Sequence, residues 1–251
     1  MFISRSLKVS ALLLLLATAS PAQQGGDLQA QILYAYETED TNSLANLIQD
    51  LTAQVTLGTG DATLRYHLAH AQYRRGLLGG IGIGNVRDAE TAFADCIDQL
   101  KPVLAQDVKS VEALVLQSAC YAGLANHRKI ESVLLRSRSD ERLNAALNLA
   151  PHNPRAVFLS SMDGLRQAKP GSALRQQAIA RLQLAVQLFE ASSATSIGTP
   201  GWGHAEAYLA LGRELQTHGD QLGARNWIEK SLIAAPDYKA AQRQLAQLAR
   251  R

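Results

Sequence analysis

His67 and His70 stand three residues apart, so on a helix they share a face and present two imidazoles side by side, as in the start of a metal site. Such a site needs further Cys, His, Asp or Glu ligands, and none stands at a matching spacing nearby. The pair is therefore read as surface or groove histidines, and no metal is expected. His127, His152, His204 and His218 fall near the ends of helical segments, where polar residues are common. Residues 76–84 read Gly-Leu-Leu-Gly-Gly-Ile-Gly-Ile-Gly, and glycine-rich backbone of this kind can cradle phosphate. This run follows a helical segment rather than a strand, and no Lys-Ser or Lys-Thr pair follows it. A flexible apolar flap is expected instead, with Leu77, Leu78, Ile81 and Ile83 docking on the array or on a partner. Asp140 and Glu141 are adjacent, and neighbours on a helix point in different directions, so they are poor partners for acid/base work. Trp202, between Gly201 and Gly203, reads either as a ligand-stacking ring or as a hydrophobic staple entering the helix at 205. No serine nucleophile elbow and no zinc-protease helix motif occurs. No catalytic residue and no cofactor are expected. The alternative is an enzyme or a small-ligand or metal-binding protein, with a site scattered over helices beneath the 76–84 flap.

The elements that must position these residues are helical. Apolar residues recur at three- and four-residue spacing nearly throughout, and no stretch alternates with period two. The pattern predicts helices at about 27–38, 42–55, 62–75, 87–104, 109–123, 126–149, 154–167, 172–191, 205–217, 221–234 and 238–250. Asp61, Asn153 before Pro154, Asp220 and Asp237 are placed to cap helix starts; Gly76 and Gly219 are placed to end helices. Short loops make neighbouring helices antiparallel hairpins. Residues 192–203, like 76–84, interrupt the array.

The chain has 251 residues, 47% hydrophobic, 19% charged and only 5% aromatic, which excludes a disordered or collagen-like protein. Residues 1–22 read as a secretory leader of bacterial type. Arg5 and Lys8 form the basic region, Val9–Ala19 the apolar region, and cleavage is expected after Ala22. An uncleaved anchor is the alternative, although the apolar run is about half the roughly 20 residues a span requires. No cysteine follows the leader to carry a lipid, and no later segment is apolar enough to span a membrane. The expected location is the periplasm or another extracytoplasmic space. The net charge of +3 includes Arg5 and Lys8, so residues beyond the leader carry about +1, too little for a nucleic-acid partner. Cys96 and Cys120 can pair in such a compartment or remain as free buried thiols; the sequence leaves both open.

Residues 205–238 carry the clearest pattern. Tyr208, Leu211, Gly212 and Leu215 lie on one helix, Ala224, Ile228 and Ser231 on the next, and Pro236 follows. This resembles the tetratricopeptide repeat (TPR), a 34-residue helical hairpin in which small residues let helices approach and large ones fill the gaps. Leu211, Gly212, Ala224 and Pro236 match by identity, the other four by size. Weaker copies appear around Ala145-Ala146-Leu147 with Pro151–Ala156, and in 62–104, where Leu68-Ala69, Ala89, Phe93 and Cys96 fit. Pro151 and Pro236 are 85 residues apart, 17 more than two repeats span, and the excess falls in 168–173 and 192–203. The chain is also similar to a group of exported bacterial repeat proteins with a Trp-Gly turn before the last repeat, here Trp202-Gly203. The resemblance implies an all-α, right-handed superhelical array of TPR-like hairpins forming one domain over residues 23–251, closed by a polar capping helix at 238–250.

In the resembled family the concave face is built by the first helix of each hairpin. Carried over, that face comprises Glu206, Leu209, Arg213, Gln216 and Thr217, and in the preceding hairpin Arg155, Phe158, Met162, Leu165 and Arg166. Mixed charged and apolar groups suit an extended peptide or a helix. The resemblance thus implies a non-enzymatic scaffold or adaptor that binds a protein or peptide in its groove, with a role in cell-envelope assembly; self-association through the terminal repeats is a further option.

Overall fold

The computed structural model describes residues 21–59, 61–83, 86–193 and 200–250. The basic and apolar parts of the leader, Gly84 of the glycine run, residues 194–199 of the 192–203 segment and Arg251 lie outside the described residues. Among the described residues there are helices and no strands: α1 (Pro21–Glu37), α2 (Thr41–Gln54), α3 (Ala62–Gly80), α4 (Val86–Gln106), α5 (Val111–His127), α6 (Ser132–Leu149), α7 (Pro154–Gln167), α8 (Ala173–Ser193), α9 (His204–Thr217), α10 (Gln221–Ala234) and α11 (Lys239–Leu248). The fold is an all-α solenoid. α3 packs on α4, α5 on α6, α7 on α8 and α9 on α10, each as a hairpin, while α1 and α2 cover α3 and α11 covers α10.

Most of the expected caps are in place. Asp61 accepts from the Leu64 amide at 2.7 Å, Asn153 from Ala156 at 3.0 Å and Asp220 from Gly223 at 2.8 Å, each satisfying an amide that the first helical turn leaves without a partner. Gly219 turns the chain at φ +85°, where a side chain would be strained. Three expectations are corrected. Asp237 does not cap α11; Tyr238 occupies that position and no side chain caps the helix. The break expected near residue 125 falls at 128–131, because Leu124 and Ala125 are buried and keep the chain helical as far as His127. Gly76 does not end α3, which continues to Gly80.

That last correction has a packing cause. A Cβ on Gly76 would lie 2.7 Å from the Phe93 ring, and one on Gly79 would lie 2.8 Å from Ala89 Cβ. The same device joins α9 to α10, where Gly212 faces Ile228 at 2.7 Å, and α7 to α8, where Gly164 faces Ala178 at 3.0 Å. These glycines let two helix backbones close up where a side chain would hold them apart. Residues 76–80 are thus a packing surface of α3 rather than a flexible flap; Leu77, Leu78 and Ile83 do dock on the array, whereas Ile81 is exposed. Gly123 of α5 presses on the same Phe93 ring from the other side, closer still. Alanine at Gly123 gains about 1 kcal/mol of helix propensity but drives a methyl into the ring, which costs about 1–3 kcal/mol in a filled core. Because the ring is fixed from both sides, the clash should win. Gly123→Ala should lower the melting temperature, and a stabilised variant would refute the sandwich.

Cys96 of α4 and Cys120 of α5 form a disulfide with Cα atoms 6.2 Å apart, which resolves the alternative left open by the sequence. It joins the second helix of one hairpin to the first helix of the next, inside the main core. The array also closes on itself. Arg243 of α11 pairs with Glu39, just after α1, at 2.5 Å, and the rings of Tyr36 and Tyr238 lie 6.0 Å apart.

Candidate functional site

The first helices of successive hairpins face inward, and the α1–α11 contact turns their shared concave face into a cavity of about 460 Å³. Its wall draws on α1 (Tyr36), α3 (Tyr73, Arg74, Leu77), α5 and α6 (Ser118, Asn126, Arg136, Asp140), α7 (Phe158, Met162, Asp163, Arg166), α9 (Glu206, Leu209, Arg213), and on Trp202 and Tyr238. Six of the residues expected on the groove thus line one cavity: Phe158, Met162, Arg166, Glu206, Leu209 and Arg213.

The others lie elsewhere. Arg155 is buried, forms a two-pronged ion pair with Glu112 at 2.7 Å and donates to the Pro200 carbonyl at 2.5 Å. It ties the segment before α9 to α5 and presents nothing to the cavity. Leu165 is buried between α7 and α8. Gln216 accepts from Gln244 of α11, and the Thr217 hydroxyl donates to the Arg213 carbonyl. A wider open groove of about 710 Å³ lies between α10 and α11; its apolar wall of Leu222, Leu232, Leu245 and Leu248 includes none of the expected groove residues.

The cavity wall also includes Arg74, a residue the pattern did not single out. It is 1% exposed. Its Nη1 pairs with Glu206 at 2.6 Å, its Nε donates to His70 Nε2 at 3.0 Å, and its guanidinium lies 4.3 Å above the Tyr36 ring. Glu206 in turn accepts from the Gly203 amide at 3.0 Å, which fixes the start of α9. One buried cation therefore links α1, α3 and α9. His70 is fully buried and stacked on Trp202, with ring centroids 6.0 Å apart, so the surface-or-groove reading of His67 and His70 is corrected. Burial, and then the Arg74 charge, hold the His70 imidazole well below its ordinary pKa. Trp202 is 1% exposed, and its indole N–H donates to the Tyr66 hydroxyl at 3.0 Å. It is a wedge driven onto α3 rather than a staple on its own helix, and one face of its ring forms cavity wall.

Near this cluster, burial pushes the Glu37 carboxyl up to about 7, helped by the Glu206 charge and opposed by Arg74. The unfolded value is 4.5, so between the two the folded chain holds the extra proton and the stability due to this group falls as pH rises through the window. His67 and His70 act in the opposite sense, since both are held low in the fold and favour unfolding as pH drops below 6.5. The informative quantity is therefore a difference. The melting temperature of wild type minus that of Glu37→Gln should decline between about pH 4.5 and 7; a flat difference would remove Glu37 as the cause.

Comparison with known proteins places the architecture. A thermophilic TPR protein from Thermus thermophilus superposes with a TM-score of 0.62 at 16% identity, covering 92% of this chain and 100% of that one. The fold is that of a TPR protein. The HusA haemophore of Porphyromonas gingivalis superposes with a TM-score of 0.56 at 19% identity, covering 74% of this chain and 90% of its own. No protein-family model and no curated protein matches the sequence. No helix among the described residues is long and apolar enough to cross a membrane.

Proposed function

We propose that the protein is a non-enzymatic, extracytoplasmic scaffold that holds a peptide or a segment of a protein partner in its central cavity, with a role in the cell envelope. The observation that carries this reading is the convergence of side chains from α1, α3, α5, α7 and α9 on one concave wall that combines apolar residues such as Phe158, Met162 and Leu209 with the charged Arg136, Arg166 and Arg213. Stacked helical hairpins of this fold offer such a face to partners. The leader-like segment at residues 1–22 supports export, and the Cys96–Cys120 disulfide suits an oxidising compartment. The test is a pull-down from envelope extract, followed by affinity measurements with peptides cut from the captured protein. Arg213→Glu should weaken the best peptide at least about tenfold, since a charge-assisted contact is lost and a like charge is added. Unchanged affinity would remove the cavity from the interface.

A second reading has its own support. A half-open cavity of about 460 Å³ lies within the roughly 300–1,000 Å³ typical of small-molecule sites, and a neighbour in the same fold is a haemophore. On this reading the cavity takes a small ligand with an apolar body. Haemin titration, followed by its absorbance and by Trp fluorescence, tests haem as that ligand; no saturable change would discard it.

A further inference from the structure

We infer that the corner of the cavity between α1, α9 and α11 recognises the carboxylate of a small ligand whose apolar body fills the rest of the cavity. This rests on the small-ligand reading above and names the chemistry of its ligand. Arg74 lines the cavity and is almost completely buried, yet its Nη2 has no hydrogen-bond partner, whereas Nη1 and Nε are both engaged. Buried guanidinium nitrogens are ordinarily satisfied, so one left over on a cavity wall points to an acceptor that arrives with a ligand.

Further donors share that corner. Arg213, one helix turn from Leu209 on the same wall, donates to the Gln244 amide oxygen and pairs with no carboxylate among the described residues. The phenols of Tyr36 and Tyr238 line the same stretch with ring centroids 6.0 Å apart; Tyr238 donates to Tyr36, which leaves the Tyr36 hydroxyl proton to give. Of the acids on the wall, Glu206 is paired with Arg74, Asp163 accepts from Arg166 and Gln167, and Asp140 of α6 stands near Arg136 and Arg166, with the other cations of the wall. The surplus charge at this end of the cavity is therefore positive. Two guanidiniums and a phenol on this stretch of wall match the oxygens of a single carboxylate. The rest of the wall carries an apolar stretch of Leu77, Phe158, Leu159, Met162 and Trp202, which matches an alkyl or aromatic body, beside the polar Asn126, Arg136, Asp140, Asp163 and Arg166.

The test compares each acid with its uncharged amide. Decanoate and 2-naphthoate are titrated into the purified protein against decanamide and 2-naphthamide, by calorimetry and by Trp fluorescence. At least one acid should bind at least about tenfold more tightly than its amide. Arg213→Gln should weaken acid binding several-fold more than amide binding. Tyr238→Phe, which keeps the ring, should reduce the preference partially. An acid and amide of equal affinity would overturn the anion corner but keep the small-ligand reading. Absence of binding by all four probes would overturn both. An Arg213→Gln variant that weakens acid and amide alike would also overturn the proposal, because the residue would then be shaping the cavity rather than recognising charge.

Discussion

Arg74→Leu should lower the free energy of unfolding by about 3–5 kcal/mol, read from urea titrations with the slope unchanged. Two effects compete at this position. Leucine fills much of the same space and adds no desolvation cost, which favours the variant. Against that, Glu206 is only 16% exposed, and without Arg74 its charge has the Gly203 amide as its remaining described partner. A carboxylate stranded in a partly dry wall outweighs the gain in apolar packing. The loss should be recoverable in part. Arg74→Leu combined with Glu206→Gln removes both charges and should be more stable than Arg74→Leu alone by at least about 1 kcal/mol. If the double variant is less stable than the single one, the Arg74–Glu206 pair is not what makes the position costly. The Arg243–Glu39 pair provides the contrast. Glu39 is as little exposed as Glu206, but Arg243 is half exposed and water screens the pair from that side, so Arg243→Ala should cost about 1 kcal/mol or less, well under the loss at Arg74. The closure of the array is therefore held from inside, by Arg74, rather than by the visible ion pair at its seam.

What could be read from the sequence follows how local the signal is. Gly212 and Ile228 sit within one repeat at a fixed spacing, so their contact was legible, as was the start of α7 at Asn153-Pro154. Gly76 and Gly79 carry the same letter as Gly219 but the opposite meaning. Gly219 bends the chain, whereas Gly76 and Gly79 stay helical because Phe93 and Ala89 need the room. Only the partner across the hairpin tells these apart, and the glycine-rich composition of 76–84 hid it. The cavity wall divides in the same way. Phe158, Met162, Arg213 and Glu206 were reachable because each sits at an inward-facing register of a hairpin's first helix. Arg74, His70 and Trp202 were not, since their partners come from distant parts of the chain; Trp202 meets Tyr66 136 residues away. Arg155 shows the limit of register alone. It occupies an inward place, but Glu112 and the Pro200 carbonyl take its guanidinium to lock the approach to α9.

Reducing the Cys96–Cys120 disulfide should cost about 3.5 kcal/mol, the loop-closure entropy returned to the unfolded chain when a link spanning 24 residues is cut. For a chain of this size that corresponds to a fall of about 7–14 °C in melting temperature. The position of the link sharpens the expectation. In a stacked array each hairpin gains stability from its neighbours, so a weakened interface between two hairpins lowers cooperativity as well as stability. The link crosses such an interface, between α4 and α5, and both sulfurs are fully buried. Reduced protein should therefore melt both lower and over a broader range, while Cys96→Ala with Cys120→Ala should fall further by the packing lost with the two sulfurs. Because the sulfurs are inaccessible in the folded state, the reductant should act at a rate that rises with urea, as the interface opens. A melt unmoved by complete reduction, checked by mass, would mean that α4 and α5 hold each other through Phe93, Gly123 and their apolar neighbours alone.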